Sequence, residues 1–578
     1  VKADLPASSP QPEKPGPRPA LTGALVLLAA WAVLAGCTAF QPILPATPFA
    51  GPATPRAAAP SATPTVEPIT LPTPLPPRST PTPVYPWLTG EIRVFPGPAH
   101  FLGDLLTFEV AIGSSTELEA DDLPVLAING VPVDVAPFIA YSPLREDVVV
   151  YRWAWDTSGI DPNVYTVTVD LPPSVLGPAQ RLEARFVVND TTNRPAAEFS
   201  AAWASVQSDC CLINYITGTA AARDREALRG AAESAVAVVE DRLGLSLGDP
   251  VTITFIDNIW GNGAFASEEL VVSYVDRSYT GFDLETVLRH EFTHRLMQTV
   301  GSGQTPILLS EGVATYLAGG HYQVEPIPQR AAALLALDAY VPLADLLADF
   351  RAYQHEAAYI EAASLVCYLV ETYGMDSFLA LYSHQSPDAA GPVDWMESAL
   401  SAVYGLSTTD LEHEYASWLA GLDPAGQADD LRLSIALHDT VRRYQDLYAP
   451  YQEALPPSEE AVVAGQVAEY MREPTDLFNL TLEVALVEAD RALAGGDYTR
   501  VEVLLAAING ALDDASLAVS PLCDYADIVR VLLEERYEVQ SVSLGGDRAE
   551  VRAIGQADPP FIRTFIVERS GSAWQIVP

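Results

Sequence analysis

The five residues His290-Glu291-Phe292-Thr293-His294 constrain this chain more than any other stretch, because a helical backbone there sets their two imidazoles on one face. With 8 His and 75 acidic residues among 578, chance supplies at most about 0.014 runs of the form H-E-x-x-H. On a helix, positions i and i+4 share one face about 5–6 Å apart, so His290 and His294 can both offer a ring nitrogen to one tetrahedral ion. Glu291, one step round, is then directed toward water held by that ion. The flanks suit a helix: Asp283 fits the N-cap, Phe282 and Val287 take the two positions of a hydrophobic staple, and Gly301 is a stop. Between them Leu284, Leu288, Phe292 and Leu296 recur at broadly helical spacing.

A second apolar helix is expected around Ser310-Glu311-Gly312. Ile307, Leu308, Leu309, Val313, Ala314 and Leu317 flank the acid, Gly319-Gly320 ends the segment, and the Gly301-Ser302-Gly303 turn lets the chain reverse before it. An acid in the middle of such a helix is expensive to bury unless it is paired or bound to a metal. Glu311 is therefore the candidate third ligand.

The run HEFTH followed by P-x-x-L-S-E-G-V-A-x-Y, from Pro306 to Tyr316, resembles the gluzincin zinc metallopeptidases and in particular the peptidase MA-like domains. The likeness spans roughly residues 205–425. It implies that His290, His294 and Glu311 hold one Zn2+ ion and that Glu291 is the general base. The stretch Tyr359-Ile-Glu-Ala-Ala-Ser-Leu-Val-Cys-Tyr-Leu-Val is similar to the helix bearing the transition-state tyrosine in aminopeptidase-like members, which implies an oxyanion-stabilising role for Tyr359.

Departures from the family pattern narrow the expectation. Leu308 stands where a Trp is common, and Gly263-Ala264-Phe265-Ala266-Ser267 replaces the Gly-Ala-Met-Glu-Asn strand by which aminopeptidases hold a free amine. Nothing at those positions supplies the amine-binding acid, although Glu268 and Glu269 are near. The expectation is a zinc endopeptidase acting on peptide or protein substrates, with an aminopeptidase as the alternative within the class. From a different class, a non-catalytic surface lipoprotein that binds partners is the other alternative. The pairs His355-Glu356 and His413-Glu414 lack a second His four residues on, where Tyr359 and Ser417 stand, so neither is a metal motif. His321 either approaches the cleft or is a surface residue.

The chain is too long for one core, and the fold class expected is multidomain. Residues 1–37 read as a bacterial lipoprotein signal: Arg18 precedes an apolar stretch from Ala20 to Ala35, and Leu34-Ala35-Gly36-Cys37 resembles a lipobox. The stretch is short of the roughly 20 residues of a membrane span, which favours cleavage and lipidation of Cys37 over an uncleaved anchor. Residues 38–87 form a Pro/Thr-rich linker, extended at about 3 Å per residue where it is polyproline-like. The expected location is the extracytoplasmic face of a bacterial membrane, lipid-anchored.

Residues 88–200 alternate as strands do, with Asn129-Gly130 marking a hairpin. The Trp-Asp-Thr-Ser-Gly approach to the Tyr165 strand resembles Ig-like β-sandwiches, in which Trp153 and Trp155 would pack in the core or at its edge. Residues 201–425 make an α+β gluzincin-type peptidase domain of small sheet plus helical lobe. A helical region follows at 426–520, where Ala489 to Tyr498 resembles one tetratricopeptide-type hairpin, and residues 521–578 form a small α+β C-terminal domain.

A formal net charge of −43 argues against binding nucleic acid or an anionic lipid surface through the folded part. Besides Cys37 there are four cysteines, Cys210, Cys211, Cys367 and Cys523, too few for a disulfide framework. Sequence neighbours rarely bond to each other. One bridge from Cys210 or Cys211 to Cys367, or a set of buried thiols, is expected instead.

Overall fold

A computed structural model describes residues 91–577 apart from 96–98, 114–122, 143–144, 173–179, 195, 258–263, 267–268, 302, 425, 449–470, 472–474 and 556–560. Cys37, the 38–87 linker, Gly263, Ser267 and Glu268 lie outside the described residues. No helix among the described residues is long and apolar enough to cross a membrane.

The first part of the chain folds as two sheets over one core. Strands β1 (Arg93–Phe95), β3 (Leu105–Gly113), β7 (Arg145–Asp156) and β6 (Ile139–Ser142) form one sheet in that order. Strands β2 (His100–Phe101), β9 (Gln180–Asn189), β8 (Asn163–Leu171), β4 (Val125–Ile128) and β5 (Val131–Val135) form the other. Alternation explains the pairing of faces: Leu106, Phe108, Val110 and Ile112 point inward from β3 and meet Leu126, Val167, Val169 and Val188 of the facing sheet. Asn129 and Gly130 both have positive φ and close the expected hairpin between β4 and β5. Trp153 stacks on Phe108 at 5.9 Å and Trp155 meets Tyr165 edge-on at 5.3 Å, so both pack against this core.

The middle part opens with a five-stranded mixed sheet in the order β10 (Trp203–Gln207), β11 (Cys211–Ile216), β12 (Val251–Ile256), β14 (Leu270–Ser273), β13 (Ala264–Ala266). Helix α1 (Ala220–Leu243) crosses between β11 and β12, which run parallel. Among the described residues, the helix α2 (Leu284–Met297) that bears the HEFTH run is followed by α3 (Ile307–Ala318), α4 (Ile327–Ala336), α5 (Leu343–Ala348), α6 (His355–Tyr373), α7 (Met375–Tyr382), α8 (Pro392–Val403) and α9 (Thr408–Ala420). Sheet and helices share a hydrophobic core that includes Phe255, Phe292, Leu309 and Ile360, while Ile216, Ile256 and Val271 of the sheet form a separate small cluster.

The C-terminal part consists of α10 (Gln427–Tyr448), α11 (Leu477–Ala494), α12 (Tyr498–Asp514), α13 (Leu522–Glu534) and an antiparallel meander β15 (Tyr537–Gly545), β16 (Arg548–Gly555), β17 (Phe561–Ser570), β18 (Ala573–Ile576). Helices α11 and α12 are joined through Gly495-Gly496-Asp497 as a helical hairpin, with Gly496 in the left-handed region. The regions read separately as 426–520 and 521–578 contribute to one core, in which Leu437, Leu486 and Ile508 meet Val542, Val551 and Trp574.

That core is tied to the loop entering α2 by Arg277, whose side chain is 1% exposed. Its guanidinium pairs with Glu483 of α11, donates to Glu538 of β15 at 2.7 Å and reaches the Val539 carbonyl at 3.3 Å. Glu483 also accepts from the Tyr444 hydroxyl.

The cysteines depart from expectation. Cys210 and Cys211 are bonded to each other, with Cα atoms 3.8 Å apart, and neither reaches Cys367. Cys211 opens β11 with no exposed surface, and Cys210 sits in the bend before it, 3.3 Å from the Ser208 hydroxyl. Cys367 is a free buried thiol on α6, pushed up to about 12 by burial and by Glu371 one turn on.

Candidate metal centre

Helix α2 begins where the sequence indicates. Asp283 caps it, its carboxylate accepting from the Thr286 backbone N–H at 2.9 Å and from the Thr286 hydroxyl at 2.8 Å. Leu288, Phe292 and Leu296 are fully buried, each contributing about 1.5–3 kcal/mol to burial. The stripe fixes the rotation of the helix and so the direction of His290 and His294.

Helix α3 ends at Gly319, which adopts a left-handed φ of 92° as its C-cap. Gly312 decides how closely α3 approaches α6. A Cβ on Gly312 would meet the Ala362 carbonyl oxygen at 2.7 Å and Val366 Cγ2 at 3.0 Å, so only glycine lets the two backbones come this near. Glu311, the preceding residue, is carried by that contact to the imidazoles of α2.

The three candidate ligands converge. His290 Nε2 lies 3.0 Å from His294 Nε2, Glu311 Oε2 lies 3.2 Å from His290 Nε2, and it lies 3.3 Å from His294 Nε2. A tetrahedron with bonds of about 2.0–2.1 Å has edges of about 3.3–3.4 Å. These separations therefore suit three corners of one zinc tetrahedron, and two imidazoles with one carboxylate are a donor set zinc takes. Ser310 Oγ stands 3.4 Å from His294 Nδ1 and steadies that ring from behind.

The electrostatics point the same way. Burial opposes a charge on His294, yet the Glu311 carboxylate overrides it and raises His294 to about 9. Burial equally opposes ionisation of Glu311, and His294 and His290 hold it well below the carboxylate range. Both shifts describe a pocket that favours positive charge between these residues. Glu291 is 6% exposed, and burial raises its carboxyl above the ordinary value.

Tyr359 lies beside this group on the first turns of α6, its ring 6.3 Å from that of His290. Burial, then the charge of Glu311, keep its hydroxyl protonated well above the ordinary phenol value, so it remains a hydrogen-bond donor. The edge strand β13 packs next to α2, and its described residue Ala264 reaches the shared core. Glu269, one of the two acids near that strand, accepts from Thr254 Oγ1 at 3.3 Å.

His321 is not on the surface. It is 9% exposed, stacked on Tyr359 at 4.2 Å, with Nδ1 2.8 Å from Glu356 Oε2. Tyr322 in turn stacks on His438 of α10 at 3.8 Å, and Gln354 donates to Asp439 of the same helix at 3.3 Å. Helix α10 thus borders the candidate site, a relation no local pattern announces. The acid of the other HE pair, Glu414, accepts from the hydroxyls of Tyr368 and Tyr373.

Residues 247–421 match the family model described as the Peptidase MA superfamily. His290, Glu291, His294, Glu311 and Tyr359 all fall within the matched stretch, whereas His438 falls outside it. No curated protein matches the chain. The chain contains a peptidase MA-like domain, of a superfamily that is generally zinc-dependent, and peptidase activity is what that domain suggests.

Proposed function

We propose that this chain is a zinc-dependent endopeptidase that hydrolyses peptide bonds within peptide or protein substrates. The observation that carries the reading is the triangle of His290 Nε2, His294 Nε2 and Glu311 Oε2, with edges of 3.0 to 3.3 Å, beside the buried acid Glu291. Zinc, when bound by these three, supplies a Lewis acid that lowers the pKa of water and polarises a carbonyl.

The remaining work belongs to side chains of this chain. Glu291, made more basic by burial, takes the proton of the attacking water and passes it to the departing amine. The Tyr359 hydroxyl donates to the oxygen on which negative charge develops, a role worth roughly 3–4 kcal/mol for a well-placed donor. No acid is found at Ala264 to Ala266 of the edge strand, which supports endopeptidase over aminopeptidase specificity.

We further propose that Cys37 carries lipid and that the enzyme works on the extracytoplasmic face of a bacterial membrane. The lipobox-like Leu34 to Cys37 and the Pro/Thr-rich stretch after it support this. Metal analysis of the purified protein, with a protease assay of wild type against Glu291→Gln, tests the reading. One zinc and a collapse of turnover in the variant are expected; no zinc, or equal turnover, overturns it.

A further inference from the structure

Tyr359 is gripped by residues that do not belong to the metal triad. Its ring lies 4.2 Å from the His321 ring at an interplanar angle of 16°, and 4.4 Å from the His355 ring. His321 is itself held at both ends. Its Nδ1 meets Glu356 Oε2 at 2.8 Å, and its backbone N–H donates to Glu325 Oε1 at 2.8 Å.

The turn carrying His321 is tight at Gly320. A Cβ on Gly320 would fall 1.9 Å from the Gln323 carbonyl oxygen, so the turn closes only around glycine. Glu325 pairs with Arg330 at 2.6 Å, and Arg330 also bonds Asp430 and, at 3.0 Å, Ser434 Oγ of α10. An imidazole fastened in this way is a flat wall rather than a mobile surface group. Burial, and then His290, hold it well below the usual histidine range, so Nδ1–H is the donor and the Glu356 carboxylate the acceptor.

We infer that the His321–Glu356 pair is a positioning device for Tyr359, fixing the tyrosine ring by stacking so that its hydroxyl stays where oxyanion charge develops. This rests on the role proposed above for Tyr359. A ring free to turn about its χ1 bond would carry the hydroxyl away from that place, and a displacement of about 1 Å in such a group can cost about 100-fold in rate. The effect belongs in kcat, because the donor matters most in the transition state.

A double-mutant cycle tests it, with His321→Ala and Glu356→Met each made alone and combined with Tyr359→Phe. Glu356→Met keeps nearly the same side-chain length, removes the acceptor of the His321 Nδ1–H bond, and covers the case in which His321→Ala fails to fold. Each single variant is expected to lose about 10- to 100-fold in kcat with KM within about threefold, and to keep its zinc content. Calorimetry with a phosphinic peptide, a mimic of the tetrahedral state, should register about a tenfold weaker affinity.

In the Tyr359→Phe background both losses should vanish. Equal losses with and without the Tyr359 hydroxyl, a change confined to KM, or unaltered phosphinic-peptide affinity overturns the positioning role while leaving the peptidase reading intact. A zinc-loaded wild type that neither cleaves peptides nor binds the phosphinic peptide overturns both.

Discussion

Glu311 Oε2 stands 3.3 Å from His294 Nε2, a separation that serves two ligands of one ion and equally serves an ion pair when a proton takes the place of the metal. Zinc and a proton therefore compete for His294. With Glu311 beside it, His294 is raised to about 9 against burial. A group raised in the folded state contributes its stability fully below its ordinary value near 6.5. That contribution is lost as pH rises through about 9.

The competition fixes how zinc affinity responds to pH. Below about 9 each bound zinc must expel the His294 proton, so affinity should rise about tenfold per pH unit between pH 6.5 and 9 and level off above. Calorimetric titration at pH 7 in two buffers of different ionisation enthalpy should register about one proton released per zinc. A pH-independent affinity over that range would contradict the arrangement.

Gly312 sets the distance between α3 and α6, and so the position of Glu311. Gly312→Ala places a methyl 2.7 Å from the Ala362 carbonyl oxygen, which should cost about 1–3 kcal/mol of stability by overpacking. It should also weaken zinc binding by more than tenfold, since the carboxylate moves with its helix. Denaturant unfolding and a competitive chelator titration check the two effects. Wild-type zinc affinity in a folded Gly312→Ala protein would show that the close approach does not position Glu311.

Arg277 and Glu483 form an ion pair with both side chains 1% exposed. Arg277→Ala should destabilise the protein by about 3–5 kcal/mol, because Glu483 is left buried without its countercharge. Replacing both residues by methionine should cost less than the single change. Burial already raises Glu483 with Arg277 present, so the Arg277→Ala deficit should shrink as pH falls and Glu483 takes up a proton. Urea unfolding of the wild type and the two variants at two pH values measures this, and a double variant less stable than Arg277→Ala would contradict it.

The parts of the site that could be read from sequence are those built by local periodicity. The α2 helix with its Asp283 cap, the apolar α3 helix ending at Gly319, and the strands of the first two sheets all follow from spacings of three, four or two residues. The stack of His321 on Tyr359, the Tyr322–His438 contact and the Arg277–Glu483 pair join residues 38, 116 and 206 positions apart. Such pairings leave no period in the chain. The Cys210–Cys211 bond escaped for another reason: adjacent cysteines are poor candidates on general geometry, yet here they are bonded where the chain bends just before β11.

We propose that Glu291 acts as general base beside a zinc ion held by His290, His294 and Glu311. Its most direct test is the hydrolysis of an internally quenched peptide with a blocked N-terminus by zinc-loaded wild type and by zinc-loaded Glu291→Gln. Cleavage by the wild type is expected, with a loss of about 100- to 10,000-fold in kcat for the variant and one zinc bound in each. Equal turnover by the two proteins, or a wild type that binds no zinc, would contradict it.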